Sequence, residues 1–186
     1  MLNSLWALAV RVPSALLDGM RLSRYLTPEL IELDLDSLVD LDFPEDTSEQ
    51  RRIRETKERV VGVLSLVLNR SGNVRNAQRL FRDLHNREKK ATTGIGGGVA
   101  IPHVRTMQVK DFVIAFARSD RGLDFESLDG KPVMIFFPMA SPPYEDRLYL
   151  RVYKSLADIL SFEDTVQRLS TAADAHEILR IIRSFE

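Results

Sequence analysis

Residues 92–103 read Thr-Thr-Gly-Ile-Gly-Gly-Gly-Val-Ala-Ile-Pro-His, and this stretch combines signals of local structure with a candidate site residue. Its glycines predict a loop, because glycine adopts backbone conformations that other residues avoid. Residues 99–101 have the composition of a short strand, and Pro102 ends it because proline cannot donate to a strand ladder. His103 therefore follows the end of a predicted strand, which is where α/β proteins commonly bind ligands.

The rest of the chain surrounds this strand with further strands and helices. Two apolar runs, residues 112–117 and 133–137, predict buried strands, and the polar residues 119–131 predict the connection between them. Residues 49–69 predict a long helix that stops at Ser71-Gly72. Strands that alternate with helices predict an α/β fold, a mixed β-sheet flanked by helices in a single layered domain. The link between residues 101 and 112 is too short for a crossover helix, so we expect an antiparallel pair there.

Local signals predict several other boundaries. Asn73 is expected to cap a helix whose apolar positions run from residue 74 to 84. Thr27-Pro28 predicts a helix start, and the alternation of residues 31, 33 and 35 predicts a short strand. Pro142-Pro143 predicts the opening of a helix. We expect residues 1–19 to be an N-terminal extension or lead-in helix and residues 20–186 to form the domain.

Composition excludes several classes of function. The 26 Lys and Arg residues against 27 Asp and Glu leave a net charge of −1, which argues against nucleic-acid binding. The chain has no cysteine, so disulfides, thiolate metal sites and cysteine nucleophiles are excluded. No apolar run reaches the roughly 18 residues of a membrane span. The three histidines, His85, His103 and His176, lack the spacing of metal ligands, so no metal site is expected.

His103 is the residue whose surroundings suggest chemistry. A neutral imidazole is a good nitrogen nucleophile near neutral pH. Backbone amides in a glycine-rich loop can form a nest for phosphate, and guanidinium and hydroxyl groups bind phosphate oxygens. The candidate phosphate-binding residues are Thr93, Gly94, Gly96, Gly97, Gly98 and Arg105, with Arg87 as a further cation. The alternative is structural, because glycine clusters are usually turns and an arginine near a helix end is often only solvated.

Residues 87–106 resemble the active-site segment of the fructose/mannitol-type IIA domains of the bacterial sugar phosphotransferase system, a family that includes the nitrogen-regulatory IIA protein. The resemblance rests on Arg87-Glu88, then Thr93-Gly94-Ile95-Gly96, then residues 100–103, Ala-Ile-Pro-His. Residues 22–31 resemble the opening segment of the family, and the helix after Pro143 resembles its late helix. The resemblance covers about residues 20–186, with an insertion around residues 40–52.

This resemblance implies phosphoryl relay. His103 would accept a phosphoryl group from a histidine-containing phosphocarrier protein and pass it to a IIB domain, or its phosphorylation state would regulate a transporter or kinase. Arg87 would be the cation beside it. Such transfer needs positioning and charge stabilisation, and no metal or nucleotide cofactor. An active protein would be a cytoplasmic phosphotransferase component with a phosphohistidine intermediate.

Two positions depart from the family pattern. Val104 stands where the family usually has a small residue after the active histidine, and Arg147 stands where it commonly has a second histidine. Arginine can hold phosphate but cannot shuttle a proton at neutral pH, so Arg147 is expected to be a catalytic cation with His103 and Arg87. These departures favour an alternative, a regulatory module that binds proteins and has lost efficient phosphotransfer. A third hypothesis is a small-molecule anion receptor formed by the glycine loop.

Overall fold

The structure is a computed structural model and describes residues 21–162 and 164–186. The predicted extension, residues 1–19, lies outside the described residues, so the domain boundary at residue 20 stays a prediction. None of the helices within the described part combines the length and apolar character that a membrane crossing requires.

Six α-helices and two short 3-10 helices lie in the described part of the chain. The 3-10 helices are Leu22–Arg24 and Pro28–Leu30, and the α-helices are α1 (Leu35–Leu38), α2 (Glu49–Asn69), α3 (Ala77–Lys90), α4 (Asp146–Leu160), α5 (Thr165–Thr171) and α6 (Ala175–Arg183). The long helix α2 has the predicted bounds. Its buried residues include Val60, Val61, Leu64 and Leu68, which recur at helical spacing and therefore share one face.

The strands of the described chain form two mixed sheets. They are β1 (Ile31–Glu32), β2 (Gly94–Gly96), β3 (Val99–Ala100), β4 (His103–Arg105), β5 (Val113–Ile114), β6 (Phe116–Leu123), β7 (Val133–Phe136) and β8 (Met139–Ser141). The larger sheet has the order β1-β6-β7-β3-β2, with β1–β6 and β3–β7 parallel and β6–β7 and β2–β3 antiparallel. The smaller has the order β4-β8-β5, with β4–β8 parallel and β5–β8 antiparallel. The predicted α/β class with a mixed sheet is confirmed.

The apolar run at residues 112–117 is two strands and not one. The chain changes sheets at Ala115, whose N–H donates to the carbonyl of Pro138 over 2.9 Å. The expected antiparallel pair between residues 99–101 and this run does not form, because β3 pairs with β7 and β2 instead. Strand β6 also continues to Leu123, through residues predicted as a connection. Asp36 makes this extension favourable, because its carboxylate accepts the hydroxyl of Ser119 and the amides of the next two residues.

Three predicted boundaries shift for local reasons. The cap of α3 is Asn76 and not Asn73, since the Asn76 side chain accepts the N–H of Arg79. The alternation at residues 31–35 is a strand only at Ile31–Glu32, because Asp34 caps helix α1 by accepting the N–H of Ser37. Helix α4 begins at Asp146, a turn after the two prolines.

The core lies between the larger sheet and the helices. Phe116, Phe125, Phe136 and Phe137 are fully buried there, and two edge-to-face pairs join Phe116 to Phe137 and Phe125 to Phe136 at 5.3 Å each. Burial of one such side chain contributes roughly 1.5–3 kcal/mol. The smaller sheet extends from this core, and it carries His103 on β4 beside the C-terminal end of α3.

Candidate functional site

His103 is the first residue of β4, and both of its neighbours fix its backbone. Proline precedes it, and its strand runs parallel to β8 with His103 opposite Met139. The N–H of Met139 donates to the carbonyl of Pro102 over 2.8 Å. The half-buried imidazole therefore projects from a strand that is held on both sides of the residue.

The two ring nitrogens of His103 have different partners. Nδ1 lies 2.6 Å from the carbonyl oxygen of Ile101, and Nε2 lies 3.1 Å from Nη2 of Arg87. A carbonyl only accepts and a guanidinium only donates, so the network assigns the proton to Nδ1 and a lone pair to Nε2. Burial lowers the pKa of His103, an effect that the Ile101 carbonyl opposes and the Arg87 charge reinforces. The lowered pKa favours the neutral ring near neutral pH, and Nε2 carries its lone pair.

Arg87 reaches the imidazole from the last turn of α3. Its Nη1 donates to the carbonyl of Ala91 over 2.8 Å, while Nη2 faces His103. The planar fork of guanidinium makes both contacts at once, so the cation is held in place before any ligand arrives. The prediction that Arg87 lies beside His103 describes the geometry of the folded chain correctly.

Two tyrosines of α4 cover the other side of the imidazole. The ring centroids of Tyr149 and Tyr153 lie 6.1 and 5.6 Å from that of His103, with edge-to-face geometry. Burial raises the pKa of Tyr149 to about 12 and also raises that of Tyr153. Both phenols therefore stay protonated near neutral pH. Sequence reasoning missed these residues, although their i, i+4 spacing in a predicted helix is a signal that they share a face.

His103 lines a pocket of about 370 Å³. Its lining residues are Arg87, His103, Val104, Arg105, Asp146, Tyr149 and Leu150. Arg105 and Asp146 form an ion pair of 2.6 Å, with about half of each side chain exposed. The pocket thus holds two arginines beside one imidazole, and this is an arrangement that suits a phosphoryl group.

The glycine-loop residues that were predicted to bind phosphate lie outside the lining of this pocket. The amides of Gly94, Gly96 and Gly97 donate to the side chains of Thr92, Ser127 and Asp129. Gly97 and Gly98, both at positive φ, form the turn between β2 and β3. None of Thr93, Gly94, Gly96, Gly97 and Gly98 lines the pocket, because this hairpin uses their polar groups for its own packing. Phosphate binding by these five residues stays a prediction.

The other predicted residues divide in the same way. Arg105 lies at the pocket, whereas Arg147 is exposed and is not among the lining residues. Helical geometry explains this difference, because Tyr149 and not Arg147 occupies the face of α4 that turns toward His103. His85 is buried against Phe81 with a ring distance of 5.6 Å, and His176 is exposed. Within the described residues, no group of three or more His, Asp or Glu could hold a metal ion.

Comparison with known proteins gives consistent relatives. The model of the phosphoenolpyruvate-dependent sugar phosphotransferase system, EIIA 2, matches residues 43–185. The nitrogen regulatory protein of Bradyrhizobium diazoefficiens is 30% identical over 145 residues, which are 78% of this chain and 94% of that protein. The fructose-specific EIIABC component of Bacillus subtilis is 30% identical over 167 residues. That match covers 90% of this chain but only 24% of the Bacillus protein.

Solved structures show the same fold. The crystal structure of nitrogen regulatory protein IIA-Ntr from Neisseria meningitidis superposes with a TM-score of 0.69 at 30% identity, covering 86% of this chain and 97% of that one. The IIA mannitol structure from Escherichia coli superposes with a TM-score of 0.63 at 19% identity, covering 84% and 97%. The second likeness concerns the fold alone.

Proposed function

Because the chain belongs to the EIIA 2 family of the phosphoenolpyruvate-dependent sugar phosphotransferase system, we propose that it is a phosphoryl carrier whose acceptor is His103. The donor is a histidine-containing phosphocarrier protein. His103 then passes the phosphoryl group to a IIB domain, or its phosphorylation state regulates a transporter or a kinase. The observation that carries this proposal is the 3.1 Å contact between Arg87 and Nε2 of His103, which places a fixed cation at the nitrogen whose lone pair would accept the phosphoryl group.

The transfer step follows from this geometry. The Nε2 lone pair attacks the phosphorus of the donor phosphohistidine, the new N–P bond forms, and the N–P bond of the donor breaks. The electron pair of the broken bond stays on the donor imidazole. The proton on Nδ1 of His103 stays in place, and the Ile101 carbonyl at 2.6 Å stabilises the positive charge that develops on the ring.

Charge on the transferring group is balanced by the two pocket arginines. Phosphoryl transfer depends mainly on positioning and on electrostatic stabilisation of the equatorial oxygens. Arg87 already lies at Nε2, and Arg105 lies at the rim with Asp146 as its present partner. A phosphoryl group on Nε2 would take both guanidinium groups as ligands.

The rim of the pocket supports docking of a protein and not of a small molecule. Leu150 is 64% exposed at this rim, and Val104 lies beside the nucleophile. Apolar side chains around a charged centre are typical of a protein interface, whose core is apolar and whose specific polar contacts are few. Val104 in this reading is a docking residue, despite its departure from the small residue usual in the family.

Phosphorylation by a charged phosphocarrier protein tests the proposal. Wild-type protein, incubated with a phosphocarrier protein that has been charged from phosphoenolpyruvate, is expected to gain acid-labile, base-stable label. His103→Ala should lose the label, while His176→Ala, which changes an exposed histidine, should keep it. Nitrogen-15 NMR should place the phosphorus on Nε2. The absence of label from every phosphocarrier tried, or label on His176, would refute the assignment.

A regulatory role without efficient transfer is separated by partner binding. We compare wild type, His103→Asp and His103→Ala in pull-downs from a lysate of the source cells. A phosphorylation-dependent regulator should bind different partners when His103 carries the negative charge of aspartate. Identical binding by all three forms would exclude phosphorylation as the switch.

A further inference from the structure

A buried ion pair lies behind the site and has no part in the transfer step. Lys57 on α2 is 7% exposed and Glu88 on α3 is 4% exposed, and Nζ of the lysine lies 3.0 Å from Oε1 of the glutamate. Removal of two charges from water is expensive, and buried ion pairs contribute little net stability. The pair therefore calls for an explanation other than stability.

Glu88 holds the residue that begins the glycine segment. Its two carboxylate oxygens lie 3.1 and 3.2 Å from the backbone nitrogen of Thr93, and it also accepts the hydroxyl of Thr93. Thr93 is itself buried. One carboxylate thus binds both the main chain and the side chain of this residue, and Lys57 supplies the charge that balances it.

Two hydrogen bonds connect Thr93 to the imidazole of His103 through Ile101. Its carbonyl accepts the N–H of Ile101 over 3.0 Å, and the carbonyl of Ile101 accepts Nδ1–H of His103 over 2.6 Å. Glu88 is also the residue after Arg87, at the end of the helix that presents the guanidinium to Nε2. The Glu88 carboxylate is therefore linked to Nδ1 of His103 through Thr93 and Ile101, and Glu88 adjoins in sequence the residue that contacts Nε2.

A second carboxylate also forms an ion pair with the lysine. Nζ of Lys57 lies 2.7 Å from Oε2 of Glu126, and 5.2 Å from the ring centroid of Phe125. Glu126 has a φ of +53°, a conformation that costs a non-glycine residue of order 1–3 kcal/mol. The hydroxyl of Thr92 donates to the Phe125 carbonyl. The lysine is therefore fixed between two segments that both contact the start of the glycine loop.

From this continuous set of contacts we propose that Lys57 and Glu88 are positioning residues for His103. They hold Thr93, and through it Ile101, so that the Ile101 carbonyl keeps the proton on Nδ1 while Arg87 meets Nε2. Neither residue touches the transferred group. The catalytic consequence rests on the proposed phosphoryl transfer, whereas the geometric one concerns the unphosphorylated ring.

The geometric consequence is tested first, without phosphorylation. Nitrogen-15 NMR of wild type is expected to show one neutral tautomer of His103 with the proton on Nδ1. Lys57→Met and Glu88→Gln should each populate the Nε2–H tautomer, and Lys57→Arg, which keeps the charge, should restore much of the wild-type signal. Lys131→Met is the matched control, since Lys131 is exposed, and it should leave the tautomer unchanged. Folded Lys57→Met and Glu88→Gln with a wild-type tautomer would overturn the proposal.

Phosphorylation rates test the catalytic consequence. A small displacement remote from the chemistry can cost up to about a hundredfold in rate, so we expect Lys57→Met to slow phosphorylation of His103 by about tenfold or more. Thr93→Val serves if Lys57→Met does not fold, because it removes only the hydroxyl contact to Glu88, and it should slow transfer in the same direction. A loss of thermal stability with unchanged rate and tautomer would show a merely structural pair. Wild type that takes no label would refute the proposed function and leave the tautomer result standing.

Discussion

Arg105 and Asp146 are joined by a 2.6 Å ion pair across the mouth of the pocket that holds His103. Exposed pairs of this kind contribute little to stability, so the interaction matters for what it does to an incoming anion. Asp146 places a negative charge at the mouth where the phosphoryl group of the proposed reaction would enter, and it pairs with the Arg105 guanidinium that would bind the phosphoryl oxygens.

The substitution Asp146→Asn is therefore expected to speed phosphorylation. A charge at about 4 Å is worth roughly 1 kcal/mol even in water, which corresponds to a rate increase of about fivefold. The rate of label uptake from the phosphocarrier, measured at low and high salt, checks this. Asp46→Asn, which changes an exposed carboxylate outside the pocket lining, should have no effect. A slower Asp146→Asn protein would show that Asp146 positions Arg105 productively.

Removal of the Arg87 side chain should be far more damaging. Loss of one fixed donor to the developing charge of a transition state typically costs about 10²–10³ in rate. We expect Arg87→Ala to fall in this range and Arg87→Lys to be intermediate, because lysine keeps the charge and loses the fork. Single-turnover phosphorylation measures the rate, and Arg82→Ala on the same helix is the exposed control. A change of less than threefold would contradict the role assigned to Arg87.

Tyr149 and Tyr153 should lower the pKa of His103. Burial is the largest cause of the lowered pKa of His103, and the rings of Tyr149 and Tyr153 lie against it. The substitution Tyr153→Ala should admit water to the imidazole. The titration midpoint of His103 should therefore rise toward 6.5. An NMR titration of the His103 ring proton measures it. Tyr144→Ala, at a position 67% exposed, should leave the midpoint unchanged, and an unchanged midpoint in Tyr153→Ala would locate the burial elsewhere.

The same lowered pKa makes the free energy of unfolding depend on pH. The unfolded chain takes up a proton on His103 near pH 6.5, while the folded chain does so only at lower pH. Stability should therefore fall as pH drops from about 6.5 to the lowered value, by at most about 1.4 kcal/mol per pH unit for each such proton. Burial also lowers the pKa of His85, so two histidines act in this direction.

Urea denaturation between pH 5 and 8 measures this slope. The substitution His103→Gln should reduce the slope of unfolding free energy against pH by the contribution of one titrating group. Adding His85→Gln should reduce this slope further. His176→Gln, an exposed position, is the control. A slope in His103→Gln equal to that of wild type would show that His103 titrates normally in the folded protein.

The hairpin formed by β2 and β3 should tolerate alanine at Gly97 better than at Gly94. A Cβ at Gly94 would lie 2.9 Å from the backbone Cα of Ser127, and relief of that contact needs main-chain movement costing roughly 1–3 kcal/mol. Gly97 faces open space, so alanine there costs about 1 kcal/mol through its φ of +63° alone. Urea denaturation of the two variants checks the order. A Gly97→Ala protein that is the less stable of the two would contradict it.

The sequence predicted the features that local chemistry controls. The apolar period of α2 together with Ser71-Gly72 was enough to place this helix, and the resemblance carried by residues 87–106 was enough to expect Arg87 beside His103, where the structure has it. It could not reveal the change of sheet at Ala115, because an apolar run looks the same whether it lies in one sheet or two.

Tertiary contacts decided what the sequence left undetermined at the site. The amides of Gly96 and Gly97 donate to the side chains of Ser127 and Asp129, which lie more than 30 residues away in the sequence. Two amides that were predicted to bind phosphate are therefore already hydrogen-bonded to a distant part of the chain. Likewise, the face that α4 turns toward His103 depends on how the whole helix packs, which is why Tyr149 and not Arg147 lies at the ring.

The guanidinium of Arg87 makes two contacts. Its Nη1 donates to the Ala91 carbonyl at the C-terminal end of α3, and its Nη2 contacts Nε2 of the His103 imidazole. A phosphoryl group on Nε2 would draw the fork toward its own oxygens and weaken the first bond. If His103 is phosphorylated as proposed, the end of α3 would therefore fray, and amide exchange around Ala91 would report the phosphorylation state of the ring.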